Sequence, residues 1–149
     1  MTWVDLSDIY VEKTGSTISM LQGLASNAKL LAGPKIGSHM LSNQTVTLNE
    51  PVSQQAHGIV LHWAAYLNGE IKNYDHVYTF IPKRHVLDCA GEGVIATMAT
   101  SGFQYVASKY IYVKDRTIIG SDVNGNTGIG SSGIKYDNTH WALDSVIGV

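Results

Sequence analysis

From Thr45 onward the apolar residues come in short runs rich in β-branched and aromatic side chains, divided by Gly, Asn, Asp and Pro. That punctuation marks strands rather than helices. It predicts strands over residues 45–48, 57–67, 75–81, 94–100, 104–114, 117–120 and 141–147, and so an all-β fold, an antiparallel β-sandwich of jelly-roll-like type. Two turns join neighbours. "LNGE" at 67–70 places Asn-Gly where positive φ is needed, and "VKDRT" at 113–117 starts a turn through an Asp side chain.

Within "HGIVLHWAAYL" the period of two puts Ile59, Leu61, Trp63, Ala65 and Leu67 on one face and Val60, His62, Ala64 and Tyr66 on the other. The first face reads as core. The second is semi-polar and suits solvent, a second sheet or another subunit. The first forty residues follow a different rhythm. "STISMLQGLASNAKLLAG" spaces Ile18, Leu21, Leu24 and Ala28 as a helix does, with Ser16 as cap and Gly33-Pro34 as stop. The organisation expected is an N-terminal stalk or linker, helical or irregular, over 1–42, followed by a sandwich domain over 43–149.

Composition narrows the function. The chain has 149 residues, 44% hydrophobic and only 15% charged, with a net charge of -2. One core of working size is expected. No basic field exists to hold nucleic acid or an anionic membrane, and no run approaches the ~20 apolar residues of a membrane span. Abundant Ser, Thr, Asn, Gln and Gly suit partners met through neutral hydrogen bonds, and sugars are of that kind. Cys89, the single cysteine, excludes an intrachain disulfide and a cysteine-rich zinc site, and reads as a small buried hydrophobe.

Several motifs fail on inspection. "SDVNGNTGIGSSGIKYDN" contains a GxGxxG at Gly128, Gly130 and Gly133, but a strand-like segment follows it where a dinucleotide fold needs a helix. The same stretch begins a calcium-loop pattern at Asp122, Asn124 and Asn126. Thr127 and Gly133 then stand where an EF-hand needs Gly and Glu. The stretch reads as a long glycine-rich loop between late strands. The six histidines lack H-x-H or H-E-x-x-H spacing, and His57 and His62 point to opposite faces of one strand. No G-x-S-x-G is present, and no carboxylate pair shows glycosidase spacing. No catalytic residue, metal site or cofactor is expected.

The densest mixture of aromatic and polar side chains is "AYLNGEIKNYDHVYTFIPKRH". Rings present an apolar face to the CH side of a sugar while Asn, Asp and His bond its hydroxyls. This chemistry selects Tyr66, Asn73, Tyr74, Asp75 and His76 as a carbohydrate-binding site. The alternative is that Tyr78 and Phe80 are core and the remainder an ordinary wet hairpin.

Residues 43–149 also resemble a family. "NQTVTLNEPVSQQAHGIVLHWAAY", "NYDHVYTFIPKRHV", "SKYIYVKDRTIIGSDVNGNTG" and "IKYDNTHWALDSVIGV", in that order, resemble the C-terminal tip domains of tail-fibre, baseplate or minor structural proteins from phages and prophages of Gram-positive bacteria. The resemblance implies a β-sandwich at the distal end of a virion tail, a homotrimer contacting other tail proteins, that adheres to host cell-wall or surface polysaccharide without enzymatic activity. It also implies a virion location, extracellular after release. Asp144 departs from the pattern, which implies a basic residue there. A purely structural trimerisation or capping domain and a polysaccharide depolymerase are the rival readings.

Overall fold

In the computed structural model, which describes residues 28–149, the alternation of the longest strand becomes burial. In Gly58–Leu67 (β3), Ile59, Leu61, Trp63 and Ala65 are buried, and only Leu67, at the hairpin end of that face, is exposed. Trp141–Gly148 (β11) runs antiparallel along one edge of β3. Glu70–Ile71 (β4) and Val77–Pro82 (β5) pair in succession along the other. Lys29–Ala32 (β1) completes this five-stranded sheet beyond β11.

The second sheet has six strands. Its spine is Val106–Val113 (β7), with Gly93–Ala99 (β6) paired along one edge over its whole length. The other edge of β7 meets Thr117–Ile119 (β8), which carries Thr45–Thr47 (β2) on its far side. That edge also meets Lys135–Asp137 (β10), which is hairpin-paired to Thr127–Ile129 (β9). The β10–β7 pair is parallel, and the other ladders are antiparallel. Trp63, Leu61, Leu143 and Trp141 from the first sheet and Ile111, Val113 and Ile118 from the second belong to one buried cluster. The two sheets therefore enclose one core.

The sequence expectations fare unevenly outside the long strands. All seven expected strands form within a residue or two of their bounds, and both expected turns form, with Asn68 and Gly69 at positive φ. The helix expected from Ser16 is corrected at its end: 29–32 is a strand, and the remainder of that expectation lies outside the described residues. Pairing to β11 buries Leu31 in the core and leaves Leu30 outside, so tertiary contacts override the local spacing. The strand still stops at Ala32, just before Gly33-Pro34. With Leu31 and Met40 in the core, the packed structure extends N-terminal of residue 43.

Two further corrections concern side chains and loops. Cys89 is exposed, not buried, because it ends the short helix Arg84–Asp88 at the surface. Tyr78 and Phe80 are not core either, at 60% and 54% exposed. They alternate with Val77, Thr79 and Ile81 and so point away from it.

The glycine-rich stretch is ordered structure rather than a loop: a 3₁₀ turn over Asp122–Gly125, then the β9–β10 hairpin. Asn124 explains the order. Between β8 and β10 the edge of β7 lacks a strand partner, and the Asn124 carboxamide supplies one. Its Oδ1 accepts from the Tyr110 N–H at 2.7 Å, and its Nδ2 donates to the Tyr110 carbonyl at 2.8 Å and to the Met40 carbonyl at 2.6 Å. Asn138 does the same two residues away, its Oδ1 accepting from Ser108 N–H at 2.9 Å. Gly120 permits this approach, since a Cβ there would meet the Met40 carbonyl oxygen at 1.8 Å.

Candidate functional site

The five residues selected from sequence do not form one patch; they divide among three sets of neighbours, all around the end of β3 that leads into the "LNGE" turn. Asn73 and His76 are brought together on the outer face of the first sheet. His76 Nε2 lies 3.0 Å from Asn73 Oδ1, and its Nδ1 lies 2.8 Å from His62 Nε2. The opposite nitrogen of His62 lies 3.1 Å from Asp144 Oδ2. Strand register causes this: Tyr78 sits directly opposite His62 across the β3–β5 ladder, and the rings stack at 4.6 Å. A bulge between Leu143 and Ser145 in β11 brings Asp144 onto the same face.

Asp75 turns the other way. Held at φ 55°, it places its carboxylate 2.8 Å from His140 Nε2, while its carbonyl accepts from Trp141 Nε1 at 2.8 Å. His140 stacks on Tyr105, and Lys135 Nζ stands over that ring, 5.3 Å from its centre. Asp75 therefore closes one end of the core as well as offering polar atoms.

Tyr66 has a third environment. Its ring, edge-on to His39 at 4.8 Å, lines a cleft of about 390 Å³ with Lys35, Ile36, Gly37, Gly69, Glu70 and Ile71. Burial pushes the His39 imidazole below its usual range, helped by the Lys109 charge, so His39 is neutral at physiological pH. Glu70 is held below the usual carboxylate range by its hydrogen bond from Lys72, at 2.9 Å. Tyr74 is half-exposed, and its carbonyl accepts from Ala65 N–H at 3.1 Å.

Sequence reading missed His62, His140, Lys35, Glu70 and Asp144 as members of these sets. For His62 the signal was present, since alternation already placed it on the semi-polar face beside Tyr66. His140 and Asp144 lie 65 or more residues from their partners, and only the β3–β11 pairing joins them. Among the described residues no three histidine, cysteine, aspartate or glutamate side chains converge as a metal-holding group. The Asp122 carboxylate, where the calcium-loop-like pattern begins, accepts from Ser42 N–H and Oγ–H, and these bonds hold it below the usual carboxylate range.

One charged side chain is buried deep in the core. Lys109 takes an inward position on β7, between Ala107 and Ile111, and is inaccessible to solvent. Its Nζ donates to the carbonyls of His39 at 3.3 Å and Asn124 at 3.2 Å and to the carbonyl of Asn138, 5.9 Å above the Trp63 ring. Burial pushes its ammonium down to about 7, against the pull of Asp137. Its three donors all being used inside, it ties chain segments together rather than presenting a nucleophile.

Comparison with protein-family models finds no match, and comparisons with curated proteins and with solved structures find none either.

Proposed function

We propose that this chain is a non-enzymatic adhesion module, the tip of a phage tail appendage, that binds host cell-wall or surface polysaccharide as a homotrimer. The observation that carries the reading is the Tyr66 cleft, with one aromatic wall, an ion-paired carboxylate, a lysine and two glycines. A sugar ring needs an apolar platform with hydrogen-bonding groups at its rim, and this cleft has both. The all-β two-sheet fold and the resemblance of residues 43–149 support the same reading. Individual contacts of this kind are weak, and several copies on one tail raise them through avidity.

The experiment is binding of the soluble full chain to purified Gram-positive cell walls and to a glycan array. Tyr66→Ala combined with Tyr74→Ala is expected to weaken binding by at least about tenfold, two aromatic contacts each contributing ~1 kcal/mol, with the thermal melt of the variant retained. Binding left intact in that double variant would remove the site. Release of reducing ends from the polysaccharide would move the reading to a depolymerase.

A second reading has its own observation. On the outer face of the first sheet, Leu30, Ile147, Val60 and Phe80 lie in directly paired succession across β1, β11, β3 and β5, and the outermost two are 46% and 54% exposed. An apolar row of this length suits a subunit contact, and a domain that used it only to trimerise or cap a fibre would bind no glycan. Phe80→Glu is expected to dissociate the oligomer in sedimentation experiments; an unchanged mass would exclude this face as the contact.

A further inference from the structure

With the Asn73 carboxamide oxygen turned toward His76, the His62–His76 contact sets two ring lone pairs against each other, and turning that amide over relieves it. Asp144 Oδ1 already accepts from Lys35 N–H at 3.1 Å, which fixes the carboxylate, and its Oδ2 faces His62 Nδ1. A carboxylate only accepts, so the proton facing it sits on His62 Nδ1, with the Ser145 hydroxyl oxygen 3.3 Å from the same nitrogen as a second acceptor. On the other side the Asn73 carboxamide turns Oδ1 toward His76 Nε2, and in that orientation of the amide Nε2 carries the proton of the ring. Each neutral imidazole has one proton, and both are now committed outward. The remaining nitrogens, His62 Nε2 and His76 Nδ1, direct lone pairs at each other across 2.8 Å.

A cation placed between two converging lone pairs satisfies both. A proton satisfies the spacing as it stands. A divalent transition metal satisfies it with a small opening, because imidazole nitrogens bind at ~2.0–2.1 Å. Two such ligands on a tetrahedral ion stand ~3.4 Å apart, about half an ångström more than here. The outer partners match what metal-bound histidines use: an acceptor on the far ring nitrogen that fixes the tautomer and raises ligand basicity. Stacking on Tyr78, only 6° from parallel, holds the His62 plane. His76 is exposed, so water has access to the remaining coordination positions.

We propose that His62 and His76 form a two-imidazole site for a borderline divalent transition metal, Zn²⁺, Ni²⁺ or Cu²⁺, with Asp144 and Asn73 orienting the rings from behind. Neutral nitrogen donors select these ions and not Ca²⁺ or Mg²⁺, and Cu²⁺ is expected to bind most tightly. Because His76 lies just before β5 and His62 lies in the middle of β3, a bound ion pins the 72–76 segment to the sheet. This assignment is independent of the glycan reading.

The test is calorimetric titration of the full chain with ZnCl₂, NiCl₂, CuCl₂ and CaCl₂ near neutral pH, paired with thermal melts. One Zn²⁺, Ni²⁺ or Cu²⁺ per chain is expected, with a raised melting temperature, while Ca²⁺ has no effect. His76→Gln should weaken binding at least tenfold, and His57→Gln, a histidine elsewhere on the surface, should leave it unchanged. In the unsubstituted chain, Zn²⁺ should shift the imidazole NMR signals of His62 and His76 ahead of the other four, a readout that needs no variant to fold. Absence of binding at millimolar metal would mean that a hydrogen bond alone joins the rings and would overturn the proposal. Equal binding by His76→Gln would do the same.

Discussion

Asn124→Ala is expected to cost the fold about 4 kcal/mol, the largest effect of any single side-chain amide in the described structure. The carboxamide substitutes for a missing strand, so its removal strands the Tyr110 N–H and the Tyr110 carbonyl together, while the Met40 carbonyl loses one of two donors and keeps the Ser121 N–H at 2.9 Å. Each buried group left without a partner costs roughly 1–3 kcal/mol, and Asn124 itself is fully buried, so water replaces none of these bonds without opening the core. Against a total stability of about 5–15 kcal/mol this is a large fraction. Asn124→Asp tests the mechanism: it keeps an acceptor for the Tyr110 N–H but turns a carboxylate oxygen toward two carbonyls, so it should not rescue. Urea unfolding followed by tryptophan fluorescence measures both. A loss below about 1 kcal/mol for Asn124→Ala would mean that the gap between β8 and β10 closes by other means.

The same residue shows why the glycine-rich stretch was legible only in part. Its cofactor motifs could be dismissed from sequence, because the helix after GxGxxG and the glutamate of the calcium loop are both missing. Its order could not be seen, because that order comes from Asn124 and Asn138 bonding to the backbone of β7 rather than from any pattern within the stretch. The long strands were legible because each buries one alternating face. The strand at Lys29–Ala32 was not, since "AKLLA" carries no alternation long enough to outweigh helical spacing, and its partner lies at the far end of the chain. Of the candidate site, residue types were legible and grouping was not. Asn73, Asp75 and His76 are near neighbours in sequence, yet Asn73 and His76 join His62 on the outer face while Asp75 faces His140 at the end of the core. A turn that reverses direction at Asp75, with positive φ, separates them. The His62–His76 pair was hidden for the converse reason. Fourteen residues apart, with no ligand spacing, the two meet only through the β3–β5 register.

Lys109→Met should destabilise the protein by about 2 kcal/mol near neutral pH, and by more as the pH is raised. Methionine matches the length of the lysine stem and fills its space beside Trp63, so no large cavity opens. The loss arises at the carbonyls of His39, Asn124 and Asn138, which give up their common donor. It is offset in part because a buried charge is also removed. The pH dependence follows from the folded state holding the Lys109 proton less tightly than the unfolded chain, at about 7 rather than the usual lysine value. Below about pH 7 both states are protonated and the cost of burying the charge is fully present. Between there and the unfolded pKa the unfolded chain binds more protons, so the stability of the unsubstituted protein rises with pH. Lys109→Met has no such proton. The difference between the two proteins should therefore widen by about 1 kcal/mol from pH 7 to pH 8, the region where the folded lysine deprotonates. Denaturation midpoints measured in parallel across that range decide the matter. A gap that stays constant would show that the three carbonyls hold the ammonium charged throughout that range.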